Sequence, residues 1–275
     1  MRVDLHTHTT ASDGALAPEE LVRHAVRSGL EAIAITDHDS VEGIQSAWQT
    51  ARELPLDIVP GVELSAVHEG ADVHILGFFI DHRDPTLLRS LAELRECRHE
   101  RAERMVIALR DAGYDVTLDD VLALAEGGSV GRSHVARALV GGGHAESVAD
   151  AFERLIGRGR PFYVPKPVAE PPAVVDTIIS AGGVPVLAHP GITQVDHLIP
   201  TLVDAGLAGL EAYHGDHTPE MRERYARMAD DLGLVATGGS DYHGPDAPGV
   251  PLGAAEVPED TLSALRAIAC RTNVR

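Results

Sequence analysis

The chain of 275 residues is short of several things. It has one lysine, Lys166, among its 23 basic residues. Those 23 face 42 acidic residues, for a formal net charge of −19. Such a balance excludes broad electrostatic binding to duplex DNA or to an anionic membrane surface. It leaves room for a phosphorylated small molecule, because a few arginines or metal ions set the local sign. At a phosphate-binding position arginine brings a bidentate fork that lysine lacks. Aromatics make up only 4% of the residues. No run of eighteen apolar residues exists, so no membrane span is expected. The start carries neither a basic n-region nor a long apolar h-region, so no secretory signal is expected. Cys97 and Cys270 are far apart and in no metal-ligand spacing. They read as free thiols of a cytoplasmic protein.

What the chain has is aliphatic residues, in a regular order. Short β-type segments alternate with helical ones. "VDL", "EAIAIT", "DIVPGVELSA", "ADVHILGFFI", "VPVLAH", "LAGLEAYH" and "LVATGGSD" read as strands. "APEELVRHAVRSGL", "SVEGIQSAWQTARE", "PPAVVDTIISAGG", "QVDHLIPTLVDAG", "TPEMRERYARMADDLG" and "PEDTLSALRAIAC" read as helices, several opening on proline. Seven strands in mostly βα order predict an α/β fold with a TIM-like barrel rather than an open sheet. The pattern fails between about Asp84 and Pro165, where only helical periodicity is found. Residues 98–164 are therefore expected to form a helical insertion domain covering the active site, and 1–97 with 165–275 the barrel. The Pro-rich stretch around Lys166 brings the chain back.

The histidines are not scattered. His6 and His8 follow "VDL"; His38, His189, Asp241 and His243 follow later strands. Glu63 and His74 lie in "VPGVELS" and "DVHILGF", and Asp13 in the first loop. The C-terminal strand ends of a β/α barrel converge on one face, so these residues are expected in one pocket. Residues i and i+2 of a strand point the same way, so His6 and His8 can share a metal. Asp241 and His243 share a face too, and Glu63 has two oxygens with which to bridge two ions. Imidazole and carboxylate suit zinc, manganese or iron. Without metal, so many polar groups at one mouth would repel or lack partners.

"DLHTHTTASDG", "ITDHDS", "PGVELS", "HILGF", "GRSHVA", "LAHPG" and "GGSDYHG" together resemble the motifs of the PHP (polymerase and histidinol phosphatase) superfamily. The resemblance covers nearly the whole chain. It is nearest to stand-alone phosphoesterases that hydrolyse nucleoside 3′,5′-bisphosphates and nucleotide or short RNA 5′ ends. It implies a distorted (β/α)7 barrel and three divalent metals, with manganese favoured. His6, His8, Glu63 and Asp241 would hold the first, and Asp13, His38 and His243 the second. Glu63 as a bridge would join His74 and His189 at the third. Some relatives with histidinol phosphatase activity place a histidine where Asp13 stands, which mildly favours nucleotides. By this reading a hydroxide held between two metals attacks phosphorus in line. Arg132 would grip substrate phosphate, with Arg98 and Arg101 as clamps for a distal phosphate.

Alternatives stand beside several of these readings. Asp37 and Asp39 flank His38 and either orient ligands or make local turn bonds. The Arg98, Arg101 and Arg104 series also fits an ordinary solvated helix, with Glu100 and Arg104 as i,i+4 partners. His134, His214 and His217 are secondary ligand or pocket candidates, while His24, His68, His82, His99, His144 and His197 fit no motif. Gly127–Gly131 matches G-x-S-x-G, but a helical segment precedes Ser129 where a nucleophile elbow needs a strand. Competing functions are a histidinol-phosphate or other small-monoester phosphatase and a non-catalytic metal-binding module. A C–N hydrolase would want a lysine bridge, and Lys166 sits in a Pro-rich loop. The oligomeric state is left open.

Overall fold

The computed structural model describes residues 1–165, 169–245, 247 and 249–272. Seven strands, β1 (Val3–Asp4), β2 (Ala32–Ile35), β3 (Asp57–His68), β4 (Ala71–Phe78), β5 (Val184–Leu187), β6 (Gly209–His214) and β7 (Val235–Gly239), pair in sequence order. β1, β2 and β3 are parallel, and so are β5, β6 and β7. β4 runs against both of its neighbours. The sheet nearly closes into a barrel through a bridge between Thr7 and Tyr242, with the His8 amide donating to the Tyr242 carbonyl at 3.0 Å.

β3 and β4 form a hairpin whose two-residue turn is Glu69-Gly70, both at positive φ (48° and 75°). That is the turn geometry whose twist suits a tight hairpin. Ser65 faces His74 across the pair, and Glu63 faces Leu76. Glu63 and His74 are thus diagonal neighbours on one face.

Alternation along β2 divides two cores. Ala32 and Ala34 pack with Val59, Leu76, Phe78, Val184 and Val186. Ile33 and Ile35 pack outward with Leu21, Val22, Ile44 and the other helix-borne residues. Small residues on one face and branched ones on the other suit the narrow bore of a short-stranded barrel.

The expected boundary at 97/98 falls inside one continuous helix, Pro85–Asp111. Pro85 opens it, and the Asp84 carboxylate accepts from the Thr86 and Leu87 amides, as a helix start requires. Its first half sends Leu87 and Leu91 into the barrel core. Its second half sends Ala102, Met105, Val106 and Leu109 into a separate cluster with Val121, Val135, Leu139 and Ile156. The insertion's apolar core is therefore its own, and one rigid helix carries it. No helix among the described residues is long and apolar enough to cross a membrane.

Gly239, the last residue of β7, has no room for a side chain: a Cβ there would overlap the Cβ and backbone nitrogen of His6. Gly239→Ala should therefore destabilise the fold by about 1–3 kcal/mol, the usual penalty of overpacking. Urea unfolding of the metal-free protein measures it, and a change below about 0.5 kcal/mol, the range of ordinary surface substitutions, would contradict the close approach.

Candidate metal centre

His6 and His8 leave the end of β1 with their rings fully buried. His6 Nε2 lies 3.3 Å from both Glu63 Oε2 and Asp241 Oδ1. His8 Nε2 lies 3.3 Å and 3.0 Å from the same two oxygens. Beside them His8, Asp13, His38 and His243 form a second set, with His243 Nε2 3.2 Å from Asp13 Oδ1. His38 Nδ1 meets Glu63 Oε2 at 2.9 Å. His74 Nδ1 and His189 Nε2 meet the other oxygen, Oε1, at 2.8 Å and 3.2 Å. The structure thus brings all nine residues expected from the sequence to one mouth, around Glu63. In each of several groups the candidate ligand atoms lie within 4.8 Å of one another.

Proximity is not the same as satisfaction. His6 Nε2, His8 Nε2, Asp13 Oδ1, His38 Nδ1, Glu63 Oε2, His74 Nδ1, His189 Nδ1 and Asp241 Oδ1 are buried and make no well-formed hydrogen bond. Buried polar atoms are rarely left in that condition, and never so many together by neglect. Nitrogen and carboxylate donors aimed at common points fit divalent cations of the zinc, manganese or iron kind.

The electrostatics point the same way. Burial pushes the carboxyls of Asp13, Glu63 and Asp241 upward, yet the surrounding imidazoles win and hold all three well below the usual range. Burial works equally against a charge on His6, but Glu211, Asp241 and Glu63 raise it well above the ordinary imidazole value. His243 is raised to about 10 by Asp13 and Asp241 against the same opposition from burial. His38, more burdened by burial, falls to about 4. The cluster therefore gathers positive charge from any source, protons included. Metal ions would take the place of those protons.

Further carboxylates build the walls. Asp37 accepts from the Thr9 amide (2.7 Å), the Thr9 hydroxyl (2.7 Å) and the Ser12 hydroxyl (2.6 Å). It thus ties down the loop that separates His8 from Asp13. Asp39 accepts from the Ser65 amide and hydroxyl, each at 2.8 Å, and from Arg98 Nε. Both contacts reach beyond the local turn. Asp4 accepts from the Ser240 amide and hydroxyl and from the Gly253 amide, fixing the segment before Asp241. Asp39, His189 and Asp241 hold positive φ (49°, 29° and 54°), a strained backbone of the kind found where geometry serves a site. The sequence reading passed over Asp4 and Glu211. Their only signal was an acid inside an apolar strand, as in "LAGLEAYH".

The insertion supplies an arginine rim. A cavity of about 120 Å³ is lined by Asp13, His38 and His74 together with Asp72, Arg98, Arg101, Arg132 and Phe152. Arg132 Nη2 donates to Asp72 at 3.0 Å, and its guanidinium sits 5.4 Å from the Phe152 ring centroid. Arg101 donates from Nε to the Val164 carbonyl, and its buried Nη2 makes no hydrogen bond. Burial and the Arg132 charge bring the Arg101 pKa down to about 10. Arg98 is buried and spends Nε on Asp39 and Nη2 on Ser65 (2.9 Å).

The secondary candidates separate cleanly. His134 Nδ1 accepts from the Gly131 amide at 2.9 Å, and burial lowers its pKa to about 4, so it caps its own helix as a neutral ring. His217 accepts from the Gly191 amide and donates to the Ala212 carbonyl, a structural role. His214 is buried beside Asp241. His24 stacks on Tyr242, while His68, His82, His99 and His144 are half-buried and His197 is exposed. Ser129 follows the Leu118–Ala125 helix and not a strand. Cys97 and Cys270 are free. Lys166 lies outside the described residues.

Asp37→Ala removes the acceptor of three buried donors. It should lower the stability of the metal-free protein by about 1–3 kcal/mol, the penalty for a stranded buried partner. Urea unfolding in the presence of chelator checks this, and an unchanged midpoint would contradict the tethering of the Thr9–Ser12 loop.

Comparison with known proteins agrees with this geometry. The PHP domain model matches residues 4–157. The chain is 38% identical over 260 residues to the 5′-3′ exoribonuclease Rnm of Escherichia coli, covering 91% of this chain and 87% of that protein. It is 35% identical over 260 residues to the 3′,5′-nucleoside bisphosphate phosphatase of Chromobacterium violaceum, covering 92% and 91%. A crystal structure from Bifidobacterium adolescentis, provisionally described as a metal-dependent phosphoesterase, superposes with a TM-score of 0.90 at 35% identity, over 97% and 96% of the two chains. With a family match over more than half its length and relatives at this identity, the chain belongs to the PHP domain family.

Proposed function

We propose that the chain is a divalent-metal-dependent phosphoesterase. Its substrates are nucleoside 3′,5′-bisphosphates or nucleotides, with short RNA 5′ ends as a second class. One observation carries the reading: orphaned histidine and carboxylate atoms converge on Glu63, and an arginine-rimmed cavity opens onto them. The named activities of the relatives, on RNA ends and on nucleoside bisphosphates, support it.

His6, His8, Glu63 and Asp241 would hold one ion, and Asp13, His38 and His243, joined by His8, a second. His74 and His189 at the far oxygen of Glu63 would hold a third, with manganese the favoured metal. Such ions supply Lewis acidity toward the phosphoryl oxygens and lower the pKa of water. The chain does the rest. Glu63 fixes the spacing of the ligand sets. Arg132, held by Asp72 and by the Phe152 face, presents its fork to a phosphate. Arg101 Nη2, which makes no hydrogen bond and lies 3.8 Å from the same Asp72, would meet the same group. Arg98 acts mainly through Asp39 and Ser65, and it keeps Nη1 near Gly131 at the cavity wall. Two cations on the rim favour a substrate with a phosphate besides the one being cleaved. That separates this reading from a small-monoester phosphatase for histidinol phosphate.

A panel of adenosine 3′,5′-bisphosphate, 5′-AMP, histidinol phosphate and a 5′-phosphorylated oligoribonucleotide, assayed with manganese, tests the assignment. Release of phosphate or nucleotide from the nucleotide substrates is expected, with loss of activity in chelator and recovery on adding manganese. No turnover of any phosphoester would refute the enzyme, and preference for histidinol phosphate would refute the substrate class. Arg132→Ala should lower kcat/KM for the bisphosphate by about 10–100-fold, the worth of a charge-assisted hydrogen bond, and that for 5′-AMP by less. Equal losses on both would contradict a second-phosphate role.

A further inference from the structure

Two side chains of β6 enter the metal centre, although a regular strand would not allow it. Glu211 and His214 are three residues apart, which puts them on opposite faces of a regular pleat. β6 is bulged between Glu211 and Tyr213: Glu211 pairs with Thr237 and His214 with Gly239, two positions on. The extra residue restores both to the face that looks on His6.

Three atoms of His6, Glu211 and His214 lie within 4.8 Å of one another, as a further metal site would require. The positions of the protons decide otherwise. His6 Nδ1 faces Glu211 Oε1 at 2.9 Å, so this nitrogen carries a hydrogen, and Nε2 is the one that would offer a lone pair to a metal. His214 Nδ1 accepts from the Asp216 amide at 3.1 Å, so a hydrogen sits on Nε2. That Nε2 is buried without a hydrogen bond, and Asp241 Oδ2 is 3.5 Å away. Neither His6 Nδ1 nor His214 Nε2 then has a lone pair for a cation shared with Glu211. Glu211 also accepts from the His189 amide at 2.9 Å and so holds that residue in its left-handed conformation.

We propose that Glu211 and His214 are positioning residues and not ligands of a fourth ion. Glu211 sets the tautomer of His6 so that Nε2 offers its lone pair toward Glu63 and Asp241. His214 offers its Nε2 hydrogen to Asp241 Oδ2 and leaves Oδ1 for the metal. The inference rests on the reading of His6 and Asp241 as ligands.

Glu211→Gln tests it with metal binding as the readout. The amide places an N–H₂ beside either His6 Nδ1 or the His189 amide. In the first case the hydrogen of His6 moves to Nε2, and in the second two donors collide. Calorimetric titration of the chelator-stripped protein with manganese, with metal content by mass spectrometry, should show one site weakened about 10–100-fold, as for loss of a metal ligand's outer partner. The number of ions bound by the wild type at saturation stays unchanged in both His214 variants. His214→Gln keeps a donor toward Asp241 and should bind manganese close to wild type; His214→Leu, with no donor, should bind more weakly. These two variants decide the matter if Glu211→Gln does not fold. Wild-type affinity in both Glu211→Gln and His214→Leu would overturn the inference, as would one ion fewer in His214→Leu and His214→Gln alike, which marks a true ligand. A wild type that binds no manganese would overturn the metal centre itself, and with it this inference.

Discussion

The structure depends on one buried carboxylate. Glu63 meets five imidazoles, His6, His8 and His38 at one oxygen and His74 and His189 at the other. An isolated buried charge of this kind would be expelled or neutralised. Here the fold is arranged to keep it ionised, and the five imidazoles come from four separate stretches of chain, His6 and His8 sharing one. The antiparallel β3–β4 hairpin is what makes the arrangement possible. It carries Glu63 in the body of a long strand and sets His74 diagonally beside it.

Around this centre stands a layer of acids that never face the cavity. Asp4, Asp37, Asp39 and Glu211 each accept several donors, and each fixes a segment that bears a proposed ligand. The mouth thus has a rigid outer shell and an inner shell whose polar atoms lack partners. Polar groups placed so are destabilising until a cation joins them. The Pro85–Asp111 helix and the segment after it bring Arg98, Arg101 and Arg132 to the cavity that also holds Asp13, His38 and His74. In the proposed reading these arginines would meet an anionic ligand.

Much of this was legible in the chain. All seven strands lie where the alternation of apolar segments put them, and the nine histidines and acids share one mouth because barrel strand ends converge. Motif spacing carried the family. What escaped depends on tertiary partners or on local irregularity. The reversed direction of β4 follows from the Glu69-Gly70 turn, two residues that also fit an ordinary loop. Glu211 needs His6, more than two hundred residues away, to acquire meaning. Its companionship with His214 depends on a bulge, which shifts the period of two on which strand reading rests. The boundary read at 97/98 falls inside a helix that begins against the barrel core and ends in a separate apolar cluster. Arg98 stood in line with Arg101 on the helix pattern, and both are buried at the cavity; their partners tell them apart, Asp39 and Ser65 for Arg98 and the Val164 carbonyl for Arg101.

The central claim is that the orphaned atoms around Glu63 are metal ligands. Anomalous diffraction from manganese-loaded crystals tests it most directly. The account predicts peaks among His6, His8, Glu63 and Asp241, among Asp13, His38 and His243, and at the Glu63 oxygen that faces His74 and His189, with none between Glu211 and His214. Full manganese occupancy elsewhere with no peak around Glu63, or a peak coordinated by Glu211 and His214, would contradict it.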